Sequence, residues 1–208
     1  MTRPSASHGY SSGVASTVLA DLAAQARDRG GLTIGEALDE MGHSGFGFVM
    51  LFLALPALIP IPGPFGMVFG SALAIVALQF SFGAKNLWLP AVIRDRRIPE
   101  KAFAALQRYA APVVDRIEKL VRPGRMKALA GDRLAYLLGL PVFVLAVAVA
   151  LPIPFGNLLP VAAICFMALG LIERDGLVVL FGLLLTAIAL GVTLFLLHGA
   201  ASLFAAIG

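Results

Sequence analysis

The sequence predicts an all-α fold: a polytopic helical membrane protein with two duplicated Pro-turn helical hairpins joined by a basic amphipathic linker helix. Three observations predict it. The 208 residues are 59% hydrophobic and only 13% charged, with a mean hydropathy of +0.91, outside the range of an ordinary soluble domain. Long uncharged runs are interrupted by prolines and bounded by charged turns. The third is an internal echo. Setting Phe52–Pro62 over Val144–Pro154 pairs Leu53 with Leu145, Ala54 with Ala146, Pro60 with Pro152 and Pro62 with Pro154, and after a two-residue shift Phe65-Gly66 pairs with Phe155-Gly156. One repeat is therefore a pair of apolar helices around a Pro-X-Pro turn, and the two copies stand either parallel or as an inverted repeat.

Five segments follow: 1–31, a Ser/Gly/Pro-rich start and an amphipathic helix; 32–82, the first hairpin; 83–132, a basic linker; 133–176, the second hairpin; 177–208, a final transmembrane helix and tail. In the first segment Val14, Val18, Leu19, Leu22 and Ala26 recur at helical spacing against Asp21, Gln25, Arg27 and Asp28, and Gly30-Gly31 ends the helix. No uncharged core of secretory-signal length lies in the first thirty residues, so no cleaved peptide is expected. Thr33 and Glu36 have the spacing of a capping box.

The first hairpin runs from Gly45 to Phe82 and turns at Pro60, Pro62 and Pro64. Each of its helices covers about 24 to 27 Å at about 1.5 Å per residue, against a hydrocarbon core of about 30 Å, so they are short crossings or a re-entrant pair. The prolines remove backbone donors, and the carbonyls they leave need cover from protein or water. The second hairpin turns at Pro152 and Pro154, with Asn157 and Pro160 just beyond, and meets the knot Glu173-Arg174-Asp175-Gly176 before the longest apolar run, Leu177 to Leu197.

Between the hairpins, Phe103, Leu106, Ala110, Val113, Val114, Ile117, Leu120 and Val121 form an apolar stripe opposite Lys101, Arg108, Asp115, Glu118 and Arg122. That is a surface helix. Trp88 suits the headgroup region, and Arg94, Arg96, Arg97, Lys101 and Arg108 are candidates for contact with a protein partner or lipid. The positive-inside rule puts the linker and the N-terminus in the cytoplasm, with five crossings. In a second topology residues 101–121 cross inside the bundle, at about 2.5 to 3.5 kcal/mol for each buried charge. The net charge of +4 fits loops facing anionic lipid, and no nucleic acid is expected.

Chemistry is sparse. His8, His43 and His198 are scattered and Cys165 is the single cysteine, so no disulfide within the chain, no metal and no cofactor are expected. Glu36, Asp39 and Glu40 read as helix-start acids on a solvated face. Asn157 is placed to cap the helix it precedes, or to line a polar site between the two Pro turns. Gln79 suits an interhelical hydrogen bond. Arg174 can pair with Glu173 or Asp175, or the knot can dock on the linker or a soluble partner. A homodimer through Gly182 and Ala189 is a further expectation. No convergent acid, base and nucleophile set is present, so the chain is not expected to be an enzyme.

The GEALDEMG stretch at Gly35–Gly42, IPIPGPFG at Ile59–Gly66, WLP at Trp88–Pro90, PIPFGNLLP at Pro152–Pro160 and GLIERDG at Gly170–Gly176 together resemble the bacterial exopolysaccharide-synthesis ExoD family of membrane proteins over about residues 30 to 197. The resemblance implies a role in exopolysaccharide production, in rhizobial cases linked to nodule invasion. It names a process and no reaction. The expected function is an accessory or signalling component of the inner membrane; the alternative is a small transporter with its site between the Pro-rich turns.

Overall fold

The computed structural model describes residues 13–58, 65–84, 86–108, 121, 125, 136–151 and 156–207. Its helices are α1 (Val14–Arg29), α2 (Ile34–Met41), α3 (His43–Ala57), α4 (Phe65–Ser81), α5 (Ala91–Arg94), α6 (100–108), α7 (Gly139–Ala150, entered through a 3-10 turn at Tyr136–Leu138), α8 (Leu158–Glu173) and α9 (Gly176–Ile207). The fold is all-helical as expected, with one addition: β1 (Leu32–Thr33) pairs antiparallel with β2 (Arg97–Ile98). The prolines Pro60, Pro62, Pro64, Pro152 and Pro154 lie outside the described residues, as do 109–120 of the linker.

Helices α3, α4, α7, α8 and α9 form the bundle, and glycines set how closely they cross. A Cβ added at Gly70 of α4 would sit 2.6 Å from the Ala150 nitrogen and 2.8 Å from the Ala146 carbonyl oxygen of α7. At the other end of that pair, a Cβ on Gly139 would meet the Ala77 carbonyl oxygen at 2.8 Å. The two helices are therefore antiparallel with backbones in contact, a small-residue seam of the kind that packs helices where no hydrophobic effect drives them together. Gly47 of α3 meets Ala168 and Ile172 of α8 in the same way, and Gly182 of α9 meets Met167 of α8. Between these seams Met50, Leu73, Leu145, Ile164 and Met167 are fully buried.

This packing gives the bundle two ends. At the tip, Gly66 at the start of α4 lies against Val149 of α7 and the Asn157 amide. At the base, Gly47 faces Ile172 and Ser81 faces Gly139. The described tip-side ends of α4, α7 and α8 thus lie together. Among the described residues, no Asp, Glu, Lys or Arg lies within a bundle helix before Glu173 at the base end of α8. The bundle's outer surface is apolar: Phe52, Val68, Ile75, Leu140, Leu158 and Leu184 are all exposed.

The base layer draws on both the N-terminal segment and the linker. Leu22 and Ala26 of α1, Leu32 of β1, Ala37 of α2 and Phe103 of α6 share one small core. The ladder pairs Leu32 with Ile98 and Thr33 with Arg97, so both segments build a single unit. Phe103 is buried but Leu106, assigned to the same stripe, is exposed. Local signals hold where they concern one turn of helix. Gly30 ends α1 in the left-handed conformation (φ 67°), after Arg27 and Arg29 in the last turn. The Thr33 hydroxyl accepts from the Glu36 amide at 3.1 Å and the Glu36 carboxylate accepts from the Thr33 amide at 2.7 Å, the capping box.

Among the described residues, Gly176–Gly199 of α9 is the one stretch both long and apolar enough to cross a membrane; Ser44–Ala57, Phe65–Ser81, Tyr136–Ala150 and Leu158–Glu173 are shorter apolar helices.

Candidate functional site

The base end gathers most of the polar residues singled out from the sequence, and Glu173 is its centre. It is the last residue of α8 and is fully buried. Its two carboxylate oxygens accept hydrogen bonds from the backbone N–H groups of Ala15 (2.9 Å) and Val14 (3.0 Å), the first residues of α1. Helix α1 starts after Gly13, which has no side chain to cap with. Its orphan N–H groups and the positive end of its dipole are met instead by an acid 158 residues away in sequence. Asp175 is also buried and accepts from the Leu177 N–H at 2.9 Å, capping α9. The Gly176 N–H donates to the Arg125 carbonyl at 2.8 Å, tying the linker to the knot.

Arg174 sits between these acids in the left-handed conformation (φ 54°), with its side chain exposed. Among the described residues it pairs with neither acid, contrary to expectation: the backbone turn that buries both carboxylates points the guanidinium outward. The knot does touch the linker, through the Gly176 N–H and the Arg125 carbonyl, and α1 docks on it as well.

On the other side of the base layer, Arg94 pairs with Asp39 of α2 at 2.6 Å, both half-exposed, and Arg97 donates to the Arg29 carbonyl at the end of α1 at 2.8 Å. Arg27 faces Glu100 at 3.9 Å. Arg96, Arg97, Lys101 and Arg108 are exposed. Hydrogen bonds from the Thr33 backbone and then its hydroxyl hold the Glu36 carboxyl below its ordinary value of 4.5, with Arg29 and Arg97 adding to the effect.

At the tip, Asn157 does not cap α8 with its side chain. Its Oδ1 is buried without a hydrogen-bond partner, and its Nδ2 would lie 2.7 Å from a Cβ on Gly66. Packing against α4 has turned the amide away from the helix start. Pro160 is buried in the first turn of α8, where no intrahelical donor is missed. Among the described residues Gln79 makes no interhelical bond. Its Oε1 accepts from the Trp88 N–H at 2.7 Å and its Nε2 donates to the Trp88 carbonyl at 3.3 Å, fixing the chain just after its own helix. Gly182 and Ala189 face inward, against Met167 and into the core. Among the described residues, no three His, Cys, Asp or Glu side chains gather as a metal site would require.

Comparison with known proteins bears on the same residues. The family model described as "Exopolysaccharide synthesis, ExoD" matches residues 15–195. The chain belongs to the ExoD family. The match runs from the start of α1, where Glu173 is received, through the knot and into α9. The chain is 34% identical to Protein ExoD of Rhizobium meliloti over 155 residues, 73% of this chain and 64% of that protein. It is 32% identical to an uncharacterised Synechocystis protein over 145 residues, 69% of this chain and 68% of that one. The aligned region therefore spans somewhat less than two thirds of the Rhizobium protein's own length. No solved structure matches the chain.

Proposed function

We propose that this ExoD-family chain is a multi-pass bacterial inner-membrane protein that serves exopolysaccharide synthesis as a non-enzymatic accessory or signalling component. The family match supports the process. The observation that carries the mechanism is the commitment of the knot: Glu173 and Asp175 serve helix ends, as acids of a mechanical joint between bundle and base layer would. Large exposed apolar side chains on all five bundle helices support a lipid-facing surface, because soluble monomers rarely expose contiguous apolar area beyond a few hundred Å². The one-ended distribution of charge supports a cytoplasmic base and five crossings, with the C-terminus outside. Co-location of the hairpins' tip-side ends supports a parallel duplication of the Pro-turn hairpin. Polymer output from a gene-deletion strain, complemented with wild type or Glu173→Ala, tests this reading. Loss with the variant at unchanged membrane abundance is expected; sugar transfer catalysed by the purified chain would refute it.

The small-transporter reading is favoured by one observation, the buried unpartnered Oδ1 of Asn157 at the tip. It requires that Asn157→Leu abolish polymer output at normal abundance; undiminished output refutes it.

A further inference from the structure

Between α4 and α5 the chain alternates sides. Leu87 is buried and Leu89 packs on the bundle core, while Trp88 between them is 66% exposed. Gln79 holds the Trp88 backbone by both its N–H and its carbonyl, which fixes the peptide from which the indole points outward. Phe82 (85% exposed) precedes it and Val92 (75%) follows. All three lie at the base end, where the apolar helices stop and the charged layer starts. In the chain that follows, Arg96, Arg97, Lys101 and Arg108 are exposed, as are Asp95 and Glu100, and Glu100 faces Arg27.

We infer that the Phe82–Lys101 segment is a lipid anchor: Phe82, Trp88 and Val92 insert at headgroup depth, and Arg96 and Lys101 bind acidic glycerophospholipid headgroups of the leaflet on the base side. Aromatic rings of this kind partition to the membrane interface, and basic side chains beside them add attraction to anionic lipid. The inference rests on the bilayer reading above and adds the lipid class and the residues that select it.

Trp88 is the chain's sole tryptophan, so it reports on itself. The full chain is placed in nanodiscs of zwitterionic and acidic lipid, with bromine carried near the headgroup or deep in the chain, on one lipid class at a time. Shallow bromine quenches Trp88 most. Acidic brominated lipid quenches it more strongly than zwitterionic lipid at equal mole fraction, reflecting enrichment of about five-fold per basic side chain. Arg96→Glu with Lys101→Glu brings the two lipids level. Equal quenching in the wild type overturns the acidic-lipid assignment. Absence of quenching overturns the anchor if a second reporter, Trp88→Phe with Phe195→Trp on α9, is quenched by deep bromine. If neither tryptophan is quenched, the bilayer reading itself falls. Recovery of Trp88 quenching only on dilution would give the surface to a second copy and overturn the lipid assignment.

Discussion

Replacing Glu173 with alanine removes both acceptors at the start of α1. The Val14 and Ala15 N–H groups are then left against the end of α8 without a partner, and Ala15 is buried. An unsatisfied buried donor costs about 1 to 3 kcal/mol, so losing the acceptor of Ala15 makes holding α1 in place less favourable by about that much, and the half-buried Val14 amide adds less. The loss has a ceiling, because α1 can lift off and let water satisfy its amides, after which only its docking energy is forfeited. The expected result is local release of α1 with the bundle intact. Hydrogen exchange of peptides covering residues 14–29 measures it directly: protection falls on the order of a hundred-fold for about 3 kcal/mol, while α4 and α7 keep theirs. Glu173→Gln, with one acceptor oxygen and no charge, falls between. Unchanged α1 protection in Glu173→Ala would refute the claim that this carboxylate joins the two layers.

Gly70→Val drives its side chain into the Ala150 nitrogen and Ala146 carbonyl, backbone atoms that cannot yield. Melting in detergent should show a loss of about 1 to 3 kcal/mol, whereas Gly191→Ala, with nothing within 4 Å of the new Cβ, should be neutral or better. Because folding lowers the Glu36 pKa, its contribution is present above the ordinary value of 4.5 and lost as pH falls through the lowered one. The thermal advantage of wild type over Glu36→Gln should therefore exist at pH 7 and vanish in strong acid. Gln79→Ala removes both bonds to Trp88, about 0.5 to 1.5 kcal/mol each, and should lower Trp88 fluorescence anisotropy with little change in the bundle. Asp39→Asn breaks a pair exposed by more than a third on each side and should change stability by less than about 1 kcal/mol.

What the sequence disclosed was whatever depends on neighbours along the chain. Uncharged runs became α3, α4, α7, α8 and α9, Thr33 and Glu36 became a capping box, and Gly30 became a helix end. What it concealed depends on distant contacts. Glu173 looked like half of a local ion pair, yet its partners are amides at the far end of the chain. One signal was available: α1 begins at a glycine, so an acceptor for its first amides had to come from elsewhere. Gln79 misled for a related reason, since a polar side chain in an apolar helix suggests a bond across helices, and here the following loop folds back within reach. The β1–β2 pairing was invisible because a two-residue strand has no periodicity to detect. Asn157 had the right position to cap its helix, and the close approach of Gly66 turned its amide elsewhere.

The last helix outruns its neighbours. α8 has 16 residues and α9 has 32, so their rods measure about 24 and 48 Å. They are anchored together at the knot, and beyond Thr193 the longer rod continues with Leu194, Phe195 and Leu197 turned outward. If the five helices cross a bilayer as proposed, one thickness cannot fit both rods, and the far leaflet would slope around the molecule, shallow beside the hairpins and deep beside the C-terminal mast. Such a wedge-shaped footprint would sort the protein by membrane thickness and draw together copies whose thin sides match.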